Sequence, residues 1–129
     1  MTALSNYAES QVIKWLMTAA AVSRPTAWFV ALHTADPGED GSVGELSGNG
    51  YARQSATFTE DTNGLVDNDA DITFGPNTGV NWGDVTHVSV WTAVSSGQCL
   101  YKGALSSPVT INVNDSLRFA AGQLDCSID

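Results

Sequence analysis

A chain of 129 residues, 43% apolar and 15% charged, can enclose one hydrophobic core and has little room for a second. Its formal charge of −9 comes from 14 acidic and 5 basic residues, and the basic ones (Lys14, Arg24, Arg53, Lys102, Arg118) lie far apart. A phosphate backbone is therefore excluded as a partner, because displacing its condensed counterions takes clustered Lys and Arg. No segment approaches the roughly 20 apolar residues of a bilayer span, and the start lacks the basic flank of a secretory signal, so residues 1–129 are expected to form a single domain that stays in water.

Asn6 and Glu9 have capping-box spacing. Ala8, Val12, Trp15, Leu16 and Ala19 then recur at three- and four-residue intervals, with Gln11 and Lys14 opposite. The pattern predicts an amphipathic helix over about residues 5–20, stopped before Arg24-Pro25 and packed by its apolar stripe on its own sheet. One lysine cannot make the basic face of a membrane-surface helix.

Ala27 to His33 is an almost unbroken apolar run of strand length. Such a strand needs cover on both faces, one from an opposing sheet and the other from the helix. Residues 35–50, ADPGEDGSVGELSGNG, hold five glycines and four carboxylates with no hydrophobic period. They read as a long exposed loop of the kind that often carries function.

Tyr51 to Thr59 alternates as a strand, and Asn63-Gly64 supplies hairpin-turn chemistry. Ala70 to Phe74 is a short strand closed by Gly75-Pro76-Asn77. Asp84 to Val94 is the longest β-branched stretch, turned at Ser95-Ser96-Gly97 into Cys99 to Leu105. Val109 to Val113 and Leu117 to Ala120 are expected to pair across Asn114-Asp115, and Leu124 to Ile128 closes the chain. Short strands at regular spacing predict a mostly β fold: an antiparallel β-sandwich or flattened barrel of about seven to eight strands, with one N-terminal helix. The β core covers 27–34 and 51–129. No repeat or heptad is present, so the chain cannot itself build a fibre shaft.

Chemistry is sparse. Asp67, Asp69 and Asp71 alternate as cation ligands would, yet the sixth and twelfth positions of an EF-hand loop are Ile72 and Thr78 where Gly and Glu are needed. His33 and His87 lie in strands without ligand spacing, and no serine stands in a nucleophile elbow. Glu39/Asp40 and Glu60/Asp61 are adjacent in turns, whereas glycosidase acids face each other across a cleft. Gly48-Asn49-Gly50 precedes no helix and is no phosphate loop. Asn114-Asp115-Ser116 reads as turn chemistry rather than a glycosylation site. Cys99 and Cys126 read as small buried apolar residues rather than a disulfide. Trp15 and Trp28 have core contexts, while Trp82, between Asn81 and Gly83, is expected at the surface. No catalytic residue, metal or cofactor is expected. The candidate partner contacts are Asp36, Glu39, Asp40 and Glu45 of the acidic loop, together with Trp82.

Several blocks carry a resemblance: Ser5 to Glu9; ALHTADPG, residues 31–38; SGNGYARQ, residues 47–54; Trp82 to Val88; Leu100 to Leu105; and Asn114 to Phe119. In this order they resemble the short tailed-phage virion proteins commonly labelled tail-fibre proteins, some of which resemble capsid cement or decoration proteins. The resemblance implies a non-enzymatic structural protein of the virion, assembled in the host cytoplasm. Its expected partners are the phage major capsid protein or tail proteins, and further copies of itself, as in a trimer. Without repeats to generate length, a capsid decoration subunit is the preferred reading. The alternatives are a tail-fibre or baseplate-associated protein, or a host-surface or glycan-binding module. Arg53 is expected to form a structural pair with an acidic loop residue.

Overall fold

The computed structural model of the chain describes residues 2–127; Ile128, expected in the last strand, lies outside them. The elements in chain order are β1 (Thr2–Leu4), α1 (Asn6–Met17), β2 (Trp28–His33), β3 (Gln54–Ala56), β4 (Phe58–Thr62), β5 (Leu65–Asn68), β6 (Ile72–Phe74), β7 (Asp84–Trp91), β8 (Cys99–Thr110), β9 (Leu117–Phe119) and β10 (Asp125–Ser127). The fold is mostly β with one N-terminal helix, as expected. All strand pairings are antiparallel. Among the described residues, ten strands stand where about seven to eight were predicted. The N-terminal residues add β1 beside β8, Leu65–Asn68 adds β5, and the stretch Tyr51 to Thr59 divides at Thr57, where the chain leaves one sheet for another; the predicted strands Cys99–Leu105 and Val109–Val113 instead join in the single β8, which ends at Thr110.

Five strands form the main sheet in the order β1-β8-β7-β2-β3, three form β10-β5-β4, and β6 pairs with β9. Side chains alternate across a strand, and this sorts the main sheet's two faces. Val30 and Leu32 of β2, with Val85, Val88 and Val90 of β7, point to one side. There they meet Ile72, Phe74, Phe119 and Cys126 from the other two sheets, with Trp82, Ile111 and Leu124 from connecting segments. Ala31, Trp91 and Cys99 form a second, smaller cluster.

That second face is covered by the acidic loop and not, as expected, by the helix. The loop folds back over the sheet through Thr34 N–H to Gly44 O and Val43 N–H to Pro37 O, at 3.0 and 3.1 Å, and Leu46 N–H then bonds Leu32 O at 3.0 Å. Pro37 and Gly41 are buried beneath it. Gly41, at φ +76°, lies so close to the sheet that an added Cβ would stand 2.6 Å from the Trp91 ring and 2.8 Å from Cys99.

The helix spans Asn6–Met17, inside the predicted 5–20 but ending about a turn sooner. Ser5, not Asn6, is the cap: its hydroxyl accepts from Ala8 N–H at 3.1 Å and also donates to the Cys99 carbonyl. Of the predicted apolar stripe, Ala8 is buried, Val12 is half-buried, and Trp15, Leu16 and Ala19 are exposed. The helix meets the sheet only at its N-terminal end and then runs beyond it.

The expected pairing of Val109–Val113 with Leu117–Ala120 does not form. Buried Asn77 intervenes: its side-chain amide donates to Val80 O and Ile111 O, its N–H donates to Asp115 O, and its carbonyl accepts from Asn114 N–H. The turn so gripped sends Leu117–Phe119 alongside Ile72–Phe74 instead. The Asn63-Gly64 hairpin forms as predicted, with both residues at positive φ.

Gly41→Ala tests the close approach of loop and sheet. A methyl group at a left-handed backbone position against a tryptophan ring should destabilise the fold by about 2–4 kcal/mol, read as a lower urea midpoint.

Candidate functional site

The densest group of chemistry-bearing side chains lies where the acidic loop meets the main sheet. Arg53 leaves the segment before β3, and the loop's return leg runs beside β2, so that Glu45 bridges to His33. The Arg53 guanidinium grips Glu45 bidentately, Nε to Oε1 and Nη2 to Oε2, both at 2.8 Å. Its remaining nitrogen, Nη1, donates to Ala93 O at 3.0 Å and Ser96 O at 2.9 Å, holding the β7–β8 turn. Its carbon lies 3.9 Å from the centre of the Trp91 ring. The planar fork of Arg suits all three tasks together, and Lys could not reproduce them. The expected pairing of Arg53 with a loop carboxylate is present.

Tyr51 extends the network inward. Its hydroxyl donates to Glu45 Oε1 at 3.0 Å and accepts from Leu32 N–H at 3.1 Å. Burial, with Glu45 alongside, raises its pKa well above the usual phenol range. For Glu45, burial favours the neutral acid, but the Arg53 hydrogen bonds and charge outweigh it and hold the carboxyl below its ordinary 4.5.

Behind Glu45 lies His33, wholly buried. Burial lowers its pKa below 6.5, more strongly than the Val43 carbonyl and Glu45 raise it. Nδ1 stands 2.7 Å from Val43 O and Nε2 stands 2.7 Å from Ser89 Oγ. A carbonyl only accepts, so in the neutral ring Nδ1 carries the proton and the Ser89 hydroxyl donates to Nε2. Trp91 Nε1 donates in turn to Ser89 Oγ at 2.7 Å.

A serine donating to a histidine is the opening arrangement of a hydrolase. Here Ser89 is 1% exposed, and the histidine's other nitrogen meets a carbonyl where a catalytic triad would place a carboxylate. Substrate has no path to that hydroxyl. A separate hollow of about 460 Å³ lies between β8 and β9, with Leu105, Val109, Leu117 and Phe119 in its wall. The charged groups on its rim are Asp125 and Arg118, and Arg118 is already paired with Asp71 at 2.8 Å. Among the described residues, no three His, Cys, Asp or Glu side chains group closely enough to hold a metal ion.

The sequence-predicted contacts fall into three places. Asp36, Glu39 and Asp40 are exposed on the outer side of the loop. Lys102 of β8 reaches up to Asp36 at 3.2 Å and Glu39 at 3.1 Å, while Asp40 accepts from Ser42. Glu45 is turned inward on Arg53. Trp82, expected at the surface, is 6% exposed: it stands edge-on to Tyr51 with centroids 5.8 Å apart, and its Nε1 donates to Asn49 O at 3.1 Å. It therefore presents no ring face to a sugar. Sequence reading missed His33, Ser89 and Trp91 as one constellation; their one shared signal is a polar residue at an inward position of two apolar strands.

Such a site fastens one part of a β scaffold to another, as in a structural protein. The chain belongs to the family described as Podophage GP4 fiber I protein gp80, whose model matches residues 3–127. No curated protein sequence matches it. The resemblance to short tailed-phage virion proteins is thereby borne out as membership of a short-tailed-phage fibre-type family. No helix among the described residues is long and apolar enough to cross a membrane.

Arg53→Ala should cost about 2–4 kcal/mol of stability, since it strands a half-buried carboxylate. Acid should act in two stages. His33 is held neutral, so its contribution is complete above pH 6.5 and is lost as pH falls through its lower folded value. Glu45, held ionised, contributes fully above pH 4.5 and loses that contribution below it. In urea titrations across this range, Glu45→Gln should remove the second stage and keep the first.

Proposed function

We propose that this chain is a non-enzymatic structural subunit of the fibre apparatus of a short-tailed phage, carried in the virion and working through protein contacts. One observation carries the reading: the residues best equipped for chemistry (Arg53, Glu45, Tyr51, His33 and Ser89) are joined to each other and to backbone groups within the fold. The family match over nearly the whole chain supports the fibre assignment. Tail or capsid proteins and further copies of the chain are the partners, and no nucleic acid is engaged by a surface of this charge. The outward side of the acidic loop, with Asp36, Glu39 and Asp40, is the candidate face toward a partner.

A second reading, a decoration subunit clamped on the capsid, is favoured by the absence of any repeat that would generate length. Electron cryo-microscopy of particles made with and without the chain separates the two. The fibre reading expects loss of tail-proximal density with heads intact. Loss of outer-shell density, with heads that burst more readily, would replace it with decoration. Hydrolysis of polysaccharide or peptidoglycan by the purified chain, abolished by Ser89→Ala, would defeat the non-enzymatic assignment.

A further inference from the structure

The outer half of α1 and the segment after it form an arm that is largely exposed. Ile13, Trp15, Leu16 and Met17 are 56, 69, 61 and 73% exposed, four large apolar side chains within five residues. The chain continues through Thr18-Ala19-Ala20-Ala21, all exposed, and half-buried Val22 to exposed Arg24 and half-buried Pro25. Residues 19–26 are neither helix nor strand and make no backbone-to-backbone hydrogen bond with any other described residue. A contiguous apolar surface of this kind marks a contact with another protein rather than with water.

Charge identifies the partner. Residues 6–27 carry Lys14, Arg24 and a single carboxylate, Glu9, whereas residues 28–127 carry twelve carboxylates against three basic residues. Those three, Arg53, Lys102 and Arg118, are each ion-paired within the body. Lys14 and Arg24 make no ion pair with any described residue. A cationic apolar arm therefore projects from a strongly acidic body. The β4–β5 hairpin and the turn after it concentrate Glu60, Asp61, Asp67 and Asp69 with no basic residue among them. The surface that complements the arm is the one the same sequence supplies.

We propose that the arm, residues 13–26, seats on the acidic body of a second copy of this chain, so that each copy gives its arm to a neighbour and the copies close into a symmetric assembly. Apolar burial holds the arm, and the two cations face carboxylates of the neighbour. The inference goes beyond the fibre assignment and stands or falls in solution, without the particle.

Sedimentation of the purified full-length chain at micromolar concentration is the test. Wild type is expected to sediment as an oligomer whose association weakens as salt rises. Leu16→Glu with Met17→Glu should leave monomers with unchanged far-ultraviolet circular dichroism, because both side chains are exposed in the single chain. Lys14→Glu with Arg24→Glu keeps every apolar residue and should weaken association at least tenfold. Zero-length carbodiimide cross-linking of mixed ¹⁴N and ¹⁵N wild-type chains should join Lys14 of one copy to a carboxylate in residues 28–127 of another. A wild-type monomer would overturn the proposal, including one that uses its arm only on a different virion protein. An oligomer unchanged by both double substitutions would overturn it equally.

Discussion

A strand whose side chains are apolar on both sides must be covered on both sides, and most of this structure follows from how β2 meets that requirement. One face is met by the other two sheets across a hydrophobic core. The second is met by a segment with almost no apolar side chains, which must approach closely and be fastened by polar contacts. Gly41 allows the approach. Arg53 does the fastening: one guanidinium ties Glu45 of the loop, two carbonyls of the β7–β8 turn and the Trp91 ring to a single point. Lys102 makes a second, more exposed tie through Asp36 and Glu39. Between the ties, His33 and Ser89 satisfy the polar groups that the covered face would otherwise strand.

What could be read from the sequence was local or compositional. The centre of the fold followed from the apolar run Ala27 to His33, and the hairpin at Asn63-Gly64 followed from turn chemistry. The structural pairing of Arg53 followed from the scarcity of cations beside an acidic loop, and both cysteines are buried and unbridged as read. The loop's role as a cover was not legible. Its five glycines look like freedom, and only contact with Trp91 and Cys99 shows that one of them answers a steric demand. Trp82 misled for a related reason: Asn81 does accept from Gly83 N–H at 2.6 Å, as a turn residue would, but the ring between them turns inward against Tyr51. The destination of Leu117–Phe119 depended on Asn77, some forty residues away, whose hydrogen bonds no pattern of periodicity encodes. The helix shows another limit, since periodicity identifies an apolar stripe but not the surface that will meet it.

Two kinds of surface result. Inside, strong donors and acceptors are matched within one chain, which suits a rigid module of a fibre-type family. Outside, the apolar side chains beyond the first turns of α1 are uncovered among the described residues. The strand-bearing body and this segment thus differ: one encloses its large apolar side chains, and the other leaves them exposed.

The two thiols have a separate consequence. Cys99 lies beneath Gly41, and Cys126 lies in the main core beside β5. Burial raises their pKa values to about 11 and about 12, so almost no thiolate exists near neutrality, and thiolate is the form that oxidises and exchanges. Dissolved oxygen and other thiols act on sulfur that they can reach. By enclosing both sulfur atoms, this fold shields them from oxidation and thiol exchange.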